Sequence, residues 1–392
     1  MTARADLIIV GAGLAGAAAA RSASARGANV VVLEQFGLGH RYGSSHGSAR
    51  IFRRAYLDPL YVRLTGQAGD LWQSLAAAAG ETLLTMTGGI DVGAVRDPAG
   101  LHAVLAGCGV PAELLPAEEA GQRWPQFDFT TAGPVLFHEH AGVLDPDRAV
   151  AALLRLATAD GADVRFDTQV TGLAAGGDGA VIRAGDEEFT APVAVIAAGA
   201  WTAPLLDGLV RLPPLTVTQQ QVFHFAPARP EKPANPATTT AYPAAEPWPA
   251  FIVNDEAGYC YGLPGGRDGG VPGAIKVGVH DPGVVTSAAG RDFRVDAAAR
   301  ARVTSFVRRR VPGLDPAVVN EVTCLYTWTA NEDFILDRQG PFVVASPCSG
   351  HGAKFAPLLG EIIADLAAGK PAPDPRFTLA AHLERPGTQR RE

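Results

Sequence analysis

The sequence predicts an α/β fold with a largely parallel sheet, and three stretches of the chain carry this prediction. Residues 7–10 form a short, continuous apolar run, which is typical of a strand buried on both faces of a sheet. An alanine-rich helix over 14–26 and a second strand over 29–33 follow it. Far along the chain, residues 193–197 and 342–345 read as further buried strands, each running into glycines. We therefore expect the chain to return twice to one sheet.

Three glycines lie between the first strand and the first helix. Gly11, Gly13 and Gly16 form G-x-G-x-x-G, which permits a tight turn, close approach of a pyrophosphate and close packing of helix on strand. The amide N–H groups at the N-terminus of the helix would face the phosphates. Glu34 ends the second strand, at the spacing for a ribose hydroxyl, and an acid there favours a ribose without a 2′-phosphate. The motif predicts a Rossmann-type site for FAD or NAD and leaves the two open.

The length of 392 residues predicts two domains. Because the buried strands are far apart in sequence, both domains should be discontinuous. We expect residues 1–85, 140–212 and 330–392 to form the dinucleotide-binding domain. Residues 86–139 and 213–329 should form an α+β substrate-binding domain with a mixed sheet. A four-strand meander is expected over 164–166, 170–173, 180–184 and 188–190, with helices over 59–79, 145–159, 297–310 and 358–366.

Charge and composition argue against several partners. A net charge of −7 without a basic block disfavours nucleic acid, and no apolar run is long enough to span a bilayer. The first predicted strand begins close to residue 1, so we expect no signal peptide. Four scattered cysteines without CxxC fit a reduced, cytoplasmic protein that has no cysteine-based zinc site. No metal is expected.

A long stretch rich in glycine, serine and histidine follows Glu34 and ends in arginines. Unstructured stretches of this length are often functional. Arg50, Arg53 and Arg54 are candidates to hold an anion, either a cofactor phosphate or a substrate carboxylate. A solvated basic loop explains the same residues equally well, so both interpretations stay open at this point.

Several separate motifs carry a family resemblance over nearly the whole chain. They are VGAGLAG, HGSARIFRRAY, YCYGLPGG, IKVGVH, CLYTWTANEDFILD and SGHGAKF. With them the sequence resembles the monomeric sarcosine oxidase and N-methyltryptophan oxidase family, within the D-amino-acid-oxidase-like flavoproteins. The resemblance implies FAD rather than NAD. It also implies a monomer that oxidises a small amino or imino acid to an imine, with hydride passing to the flavin and O2 reduced to H2O2.

The same resemblance assigns roles to basic residues. Arg53 and Lys354 match the two cations that hold the substrate carboxylate, and Arg50 matches an arginine near the flavin ring. Lys276 matches the lysine that promotes the reaction of reduced flavin with oxygen. From its strand pattern alone, Lys276 would be a solvent-facing residue.

Further site residues follow from the resemblance. Cys324 matches the cysteine that binds the flavin covalently through its 8α-methyl group, whereas its apolar surroundings alone suggest a buried core thiol. His280 and Tyr261 match residues lining the substrate cavity. Further candidate cofactor contacts are Ser45, His46, Gly199, Gly350, Gly352 and Lys354.

The substrate stays open between several classes. A cyclic imino acid such as pipecolate or proline, or a biosynthetic amine intermediate, is the alternative to an N-methyl amino acid. A dehydrogenase that passes electrons to another protein, or a flavoprotein without turnover, would be further departures. Trp328 stands where the family has a smaller or charged residue, and it could lie on the surface, enter the cavity or stack near the flavin.

Overall fold

The computed structural model describes residues 2–228, 247–255 and 258–384. Part of the proline-rich stretch over 226–249, which the sequence pattern predicts to be a loop, therefore lies outside the described residues. Within them, no helix is both long enough and apolar enough to cross a membrane. The division into two domains remains a prediction from the sequence.

The described residues contain 22 strands, numbered in chain order. They are β1 Thr2–Arg4, β2 Leu7–Val10, β3 Val30–Leu33, β4 Arg50–Arg53, β5 Leu84–Met86, β6 Gly89–Val92, β7 Glu113–Leu115, β8 Val135–His138, β9 Ala141–Leu144, β10 Asp163–Arg165, β11 Gly172–Gly176, β12 Gly179–Ala184, β13 Glu187–Ala191, β14 Val193–Ile196, β15 Thr216–Pro227, β16 Ala250–Asp255, β17 Gly258–Pro264, β18 Ile275–Val279, β19 Val284–Val285, β20 Leu314–Trp328, β21 Ile335–Gln339 and β22 Phe342–Ser346.

The same part of the chain forms nine α-helices. They are α1 Leu14–Ala25, α2 Pro59–Ala79, α3 Pro98–Gly107, α4 Ala117–Arg123, α5 Pro146–Ala159, α6 Thr202–Leu206, α7 Ala297–Arg310, α8 Ala356–Ala367 and α9 Leu379–Glu384. Three short 3₁₀ turns cover Gly199–Trp201, Gly352–Phe355 and Pro375–Phe377. As expected, Asp145 caps α5 by accepting from the Arg148 amide, and Pro146 opens that helix.

One sheet gathers strands from the whole chain. Within the described residues its order is β10-β3-β2-β14-β22-β21, parallel except for the β21–β22 pair. Strands β2, β3 and β14 are buried at every residue because α1, α5 and α8 cover one face and β11 to β13 lie over the other. The predicted returns of the chain to this sheet are thereby confirmed. The predicted four-strand meander is wrong at its first member, since β10 pairs with β3 in the parallel sheet instead.

A second, mixed sheet is built mainly from β15 to β20. Counted over the described residues it has nine strands, in the order β19-β15-β18-β17-β16-β6-β8-β7, with β20 also paired to β15. Helix α7 packs on it through Val303, Phe306 and Val307. The long strand β15 pairs with β18, which carries Lys276, and with β20, which carries Cys324, so the two residues lie on strands on either side of β15.

A small three-stranded sheet, β4-β9-β5, corrects one expectation. Arg50 and Arg53, two of the three arginines that end the long stretch after Glu34, do not lie in a loop. Residues Arg50–Arg53 form β4, which pairs antiparallel with β9. A strand fixes the direction of its side chains more firmly than a loop does, so Arg50 and Arg53 have defined positions.

Gly360 allows α8 to touch α1, and its replacement provides a test of this packing. A Cβ atom there would lie 2.5 Å from the carbonyl oxygen of Ala18, closer than real Cβ contacts allow. Gly360→Ala should therefore destabilise the protein by about 1–3 kcal/mol and lower its thermal unfolding midpoint. Gly121, in α4, has open space around it, so Gly121→Ala should leave the midpoint unchanged or raise it slightly. Equal midpoints for the two variants would contradict the packing.

Candidate functional site

A cavity of about 250 Å³ opens at the carboxyl ends of β2, β3 and β14. Ligands of open parallel sheets bind at this edge. Its lining includes five of the residues predicted to bind the cofactor, one of which, Ser45, belongs to the long stretch after Glu34. The predicted residues here are Gly11, Gly13, Glu34, Ser45 and Gly199.

The turn from β2 into α1 is closely packed. A Cβ at Gly16 would lie 1.9 Å from the Gly11 carbonyl oxygen, so only glycine lets the helix sit on the strand in this way. The Glu34 carboxylate accepts from the amides of Ala12 at 2.8 Å and Phe36 at 3.0 Å, which ties the end of β3 to the turn. Gly16 itself lines neither of the two cavities described here.

The residues of this first cavity fit an anionic dinucleotide. Helix α1 begins at Gly13 without a side-chain cap, so its first amide N–H groups and dipole favour a phosphate. The Ser45 hydroxyl contacts the same turn, accepting from the Leu14 amide at 3.0 Å. Next to Ser45, the buried His46 Nε2 has no hydrogen-bond partner among the described residues. A bound cofactor could supply that partner.

A second cavity, of about 90 Å³, adjoins the first through the segment 43–47. We call it the cationic cavity, because four basic side chains line it: Arg50, Arg53, Lys276 and Lys354. Lys276 and Lys354 are each only 5% exposed. Burying cations costs free energy unless oxygen atoms or negative charges face them, so this arrangement is typical of a site that binds an anion.

Two of these cations share one acceptor. Lys276 Nζ donates to the Ala49 carbonyl oxygen at 2.9 Å, and Arg50 Nη1 donates to the same oxygen at 3.0 Å. Burial and then the Arg50 charge lower the pKa of Lys276 to about 7, while Asp268 and Cys324 oppose the shift. The alternative of a solvent-facing lysine is therefore wrong.

The other two cations, Arg53 and Lys354, both contact Tyr56. Lys354 Nζ donates to the Tyr56 hydroxyl at 2.9 Å and to the His351 carbonyl oxygen at 2.8 Å. The Arg53 guanidinium carbon lies 4.2 Å from the centre of the Tyr56 ring, which is a cation–π contact. Tyr56 thus contacts both the Arg53 guanidinium and the Lys354 ammonium, and these two cations line the same cavity. Such a pair suits a carboxylate.

A buried ion pair between Arg96 and Asp91 lies next to the segment that carries Arg53 and Tyr56. Arg96 Nε donates to Asp91 at 2.5 Å, and Arg96 Nη2 donates to the Ala55 carbonyl oxygen at 3.0 Å. Arg53 Nη1 donates to that same oxygen. Arg96 therefore restrains the backbone between Arg53 and Tyr56. Arg54, by contrast, turns away and donates to Val62 in α2.

Aromatic side chains form the remaining wall. Tyr261 and Tyr326 hydrogen-bond to each other, and burial raises the pKa of Tyr261 to about 12 and that of Tyr326 well above its usual value. The His280 ring packs on Tyr259 at 4.8 Å and on Trp328 at 5.5 Å. Trp328 is not among the cavity-lining residues, and its indole N–H donates to Thr218 at 2.8 Å. It therefore supports His280 from the second layer.

Cys324 lines the cationic cavity and is buried. Arg50 Nη2 lies 3.5 Å from its sulfur atom and 3.2 Å from the Ser44 carbonyl oxygen. A thiol that faces a polar cavity and an arginine differs from an inert core thiol, which is surrounded by apolar groups.

The structure brings most of the predicted site residues together. Besides the four cations, the cationic cavity is lined by His46, Tyr261, His280, Cys324 and Gly350. Gly352 lines neither cavity and instead packs against the Pro347 carbonyl oxygen. Sequence reasoning missed Tyr56, Arg96, His351 and Asp268. Tyr56 ends HGSARIFRRAY, His351 lies within SGHGAKF and Asp268 follows YCYGLPGG by two residues, so each had a usable signal, whereas Arg96 belongs to none of the motifs.

Comparison with known proteins gives a consistent assignment. A family model described as "DAO: FAD dependent oxidoreductase" matches residues 6–366. The chain is 35% identical over 370 residues to a monomeric sarcosine oxidase of Streptomyces avermitilis, covering 92% of this chain and 93% of that protein. It is 33% identical over 378 residues to an N-methyl-L-tryptophan oxidase of Yersinia pestis, covering 94% and 96%.

Solved structures share the fold. The open form of NikD, described as an unusual amino acid oxidase essential for nikkomycin biosynthesis, has a TM-score of 0.82 at 24% identity, covering 99% of this chain and 98% of that one. An L-proline dehydrogenase from P. horikoshii has a TM-score of 0.84 at 20% identity, covering 99% and 100%.

Proposed function

The chain belongs to the DAO family of FAD-dependent oxidoreductases, and on that premise we propose that it is an oxidase of secondary amino acids, of the sarcosine or N-methyl amino acid type. One observation carries the substrate class: Arg53 and Lys354 both contact Tyr56 and both line the buried, cationic cavity. A carboxylate is the substrate group that such a pair would hold. The sarcosine and N-methyltryptophan oxidases among its relatives support the secondary amine.

The residues present would divide the work between the two cavities. Gly11, Gly13 and Glu34 would hold the adenosine diphosphate end of FAD, and the cationic cavity would hold the flavin end beside the substrate. Bound FAD would supply the redox chemistry, the two-electron oxidation by hydride transfer of the C–H bond next to the amine nitrogen to give an imine, with O2 as the final electron acceptor and H2O2 as its product.

The side chains contribute position and charge. Arg53 and Lys354 would fix the carboxylate, so that the amine end points into the cavity past His280 and Tyr261. The fixed cations would also lower the pKa of the substrate amine and favour its neutral form. Lys276 and Arg50 would stabilise negative charge that develops as oxygen is reduced, because they are already held at Ala49.

The alternative substrate, a cyclic imino acid such as pipecolate or proline, carries the same carboxylate and would use the same clamp. Its oxidation would differ in the fate of the imine, which stays in the ring instead of hydrolysing to an aldehyde and an amine.

Anaerobic bleaching of the visible flavin band tests the function directly. We expect a secondary amino acid from a panel of sarcosine, N-methyltryptophan, pipecolate and proline to bleach the band rapidly, and D-alanine, a primary amine, to leave it unchanged. Admission of O2 should restore the band and yield H2O2. If the flavin is reducible by dithionite but no member of the panel bleaches it, the proposed substrate class is wrong.

Cys324 is proposed to attach FAD covalently. A thioether from its sulfur to the 8α-methyl carbon would form with loss of one hydrogen from each partner and reduction of O2 to H2O2. Acid-denatured wild-type protein should therefore retain yellow colour, whereas Cys324→Ala should release its flavin into the supernatant. Cys348→Ala is the matched control, because Cys348 is also near the cavity but does not line it; it should retain the flavin. Release from the wild type would contradict the covalent link.

A further inference from the structure

Lys276 and Arg50 donate to the same carbonyl oxygen of Ala49, so two cations lie close together inside the protein. Arg50 stays charged under all ordinary conditions. A lysine held against the same carbonyl oxygen is repelled by that charge and is also removed from water. Both effects favour the neutral amine of Lys276. A neutral amine would not stabilise negative charge in the cavity, so a counter-charge is needed.

Asp268 is placed to supply that charge. It lies in the loop between β17 and β18, and its carboxylate accepts from the Ser48 amide at 3.1 Å and from the Ser48 hydroxyl. In return, the Ser48 hydroxyl oxygen accepts from the Asp268 amide at 3.1 Å. Asn320 holds the loop from the other side by donating to the Asp268 carbonyl oxygen at 2.7 Å. The carboxylate is thus fixed one residue away from the carbonyl that holds Lys276.

Gly47 leaves room for this approach. A Cβ atom there would lie 3.0 Å from Asp268 Oδ2 and 3.6 Å from Arg50 Nη1. The carboxylate and the guanidinium therefore reach the same part of the backbone, and Asp268 lines the cationic cavity together with Lys276. Four hydrogen bonds therefore fix the position of Asp268.

The other titratable groups near Lys276 do not replace Asp268. His224 lies opposite Lys276 in the β15–β18 pair, and burial lowers its pKa to about 4, so it is neutral at pH 7. Burial also lowers the pKa of His46 to about 2. Asp147, which accepts from the Gly47 amide at 2.8 Å, favours the charged form of Lys276 as Asp268 does, but its effect is smaller, and burial raises its own pKa.

Arg50 and Cys324 complete the groups that face Lys276. For Asp268 itself, burial is outweighed by the Ser48 hydrogen bonds and the Lys276 charge, so its pKa is lowered. Asp268 is therefore ionised at neutral pH.

We propose that Asp268 is a positioning residue that keeps Lys276 in its ammonium form beside Arg50. The effect of Asp268 on Lys276 does not depend on the proposed function, whereas its consequence for oxygen reduction rests on that function. An ammonium ion is present below its pKa and is lost as pH rises through it. Removal of Asp268 should therefore move the loss of the Lys276 charge to lower pH.

The chain has only four lysines, at 232, 276, 354 and 370, which makes the test practicable. Protein with [ε-¹³C]lysine is titrated by NMR, and Lys276→Met identifies the signal. In Asp268→Asn the midpoint for Lys276 should move to lower pH by about one pH unit. A midpoint equal to that of the wild type overturns the proposal.

Two control variants separate charge from loop structure. Ser48→Ala removes the hydroxyl bonded to Asp268 but keeps the carboxylate and its bond from the Ser48 amide, so the Lys276 midpoint should move clearly less than in Asp268→Asn. Asp145→Asn removes a carboxylate that pairs with Arg267, next to Asp268 in the loop, and keeps a side chain able to cap α5. If either control moves the midpoint as far as Asp268→Asn does, a specific counter-ion role is excluded.

A kinetic readout distinguishes this inference from the proposed function. In Asp268→Asn, the second-order rate of reduced flavin with O2 should fall at a lower pH than in the wild type. Flavin reduction by substrate should change less. An enzyme that no amine reduces would contradict the proposed function, while the lysine titration would still decide the role of Asp268. Unchanged pH dependence of the oxygen reaction, with a shifted lysine, would contradict the catalytic consequence.

Discussion

The burial of several cations around one small cavity is the constraint on which the rest of the site depends. Each charge must find an oxygen atom or a carboxylate inside the protein, since little water reaches it. Strand β4 and its flanks meet much of this need. The Ala49 carbonyl receives Lys276 and Arg50, and the Ala55 carbonyl receives Arg53 and Arg96. The short strand β4 and the residues next to it therefore serve as a scaffold that holds Lys276, Arg50, Arg53 and Arg96.

The parallel sheet gives this scaffold its place. Strands β2, β3, β14 and β22 end at one edge, where the glycine turn and Glu34 form the first cavity. The segment 43–47 leads from that cavity to the second one, and β4 begins directly after it. The mixed sheet approaches from the other side with Lys276 on β18 and Cys324 on β20. The cationic cavity is thus lined from two sheets, whereas the first cavity lies at the edge of one.

The sequence predicted the first strand, glycine turn, helix and second strand well because their signals are local. Strand, glycines, helix and acid follow one another within 34 residues, and each has a direct physical meaning. The basic residues of the cationic cavity carried no such meaning by themselves. Lys276 in its apolar strand pattern suggested a solvent-facing residue, and only the family resemblance pointed inward.

Contacts between residues far apart in the chain could not be predicted from local sequence patterns. Asp268 reaches Ser48 across 220 positions, and Lys354 reaches Tyr56 across 298. Arg96 looked like an ordinary loop residue, although it is almost completely buried against Asp91. The error over residues 163–165 has the same origin, because a strand's pattern does not say which sheet it will join.

The central claim is that Arg53 holds the substrate carboxylate, and adjacent arginines offer a direct measurement of it. Arg53 faces the cavity, while Arg54 turns towards α2. Stopped-flow flavin reduction by the best substrate should show an apparent Kd raised at least about tenfold in Arg53→Ala. In Arg54→Ala it should stay within about twofold of the wild type. Equal affinity in Arg53→Ala and the wild type would contradict the account.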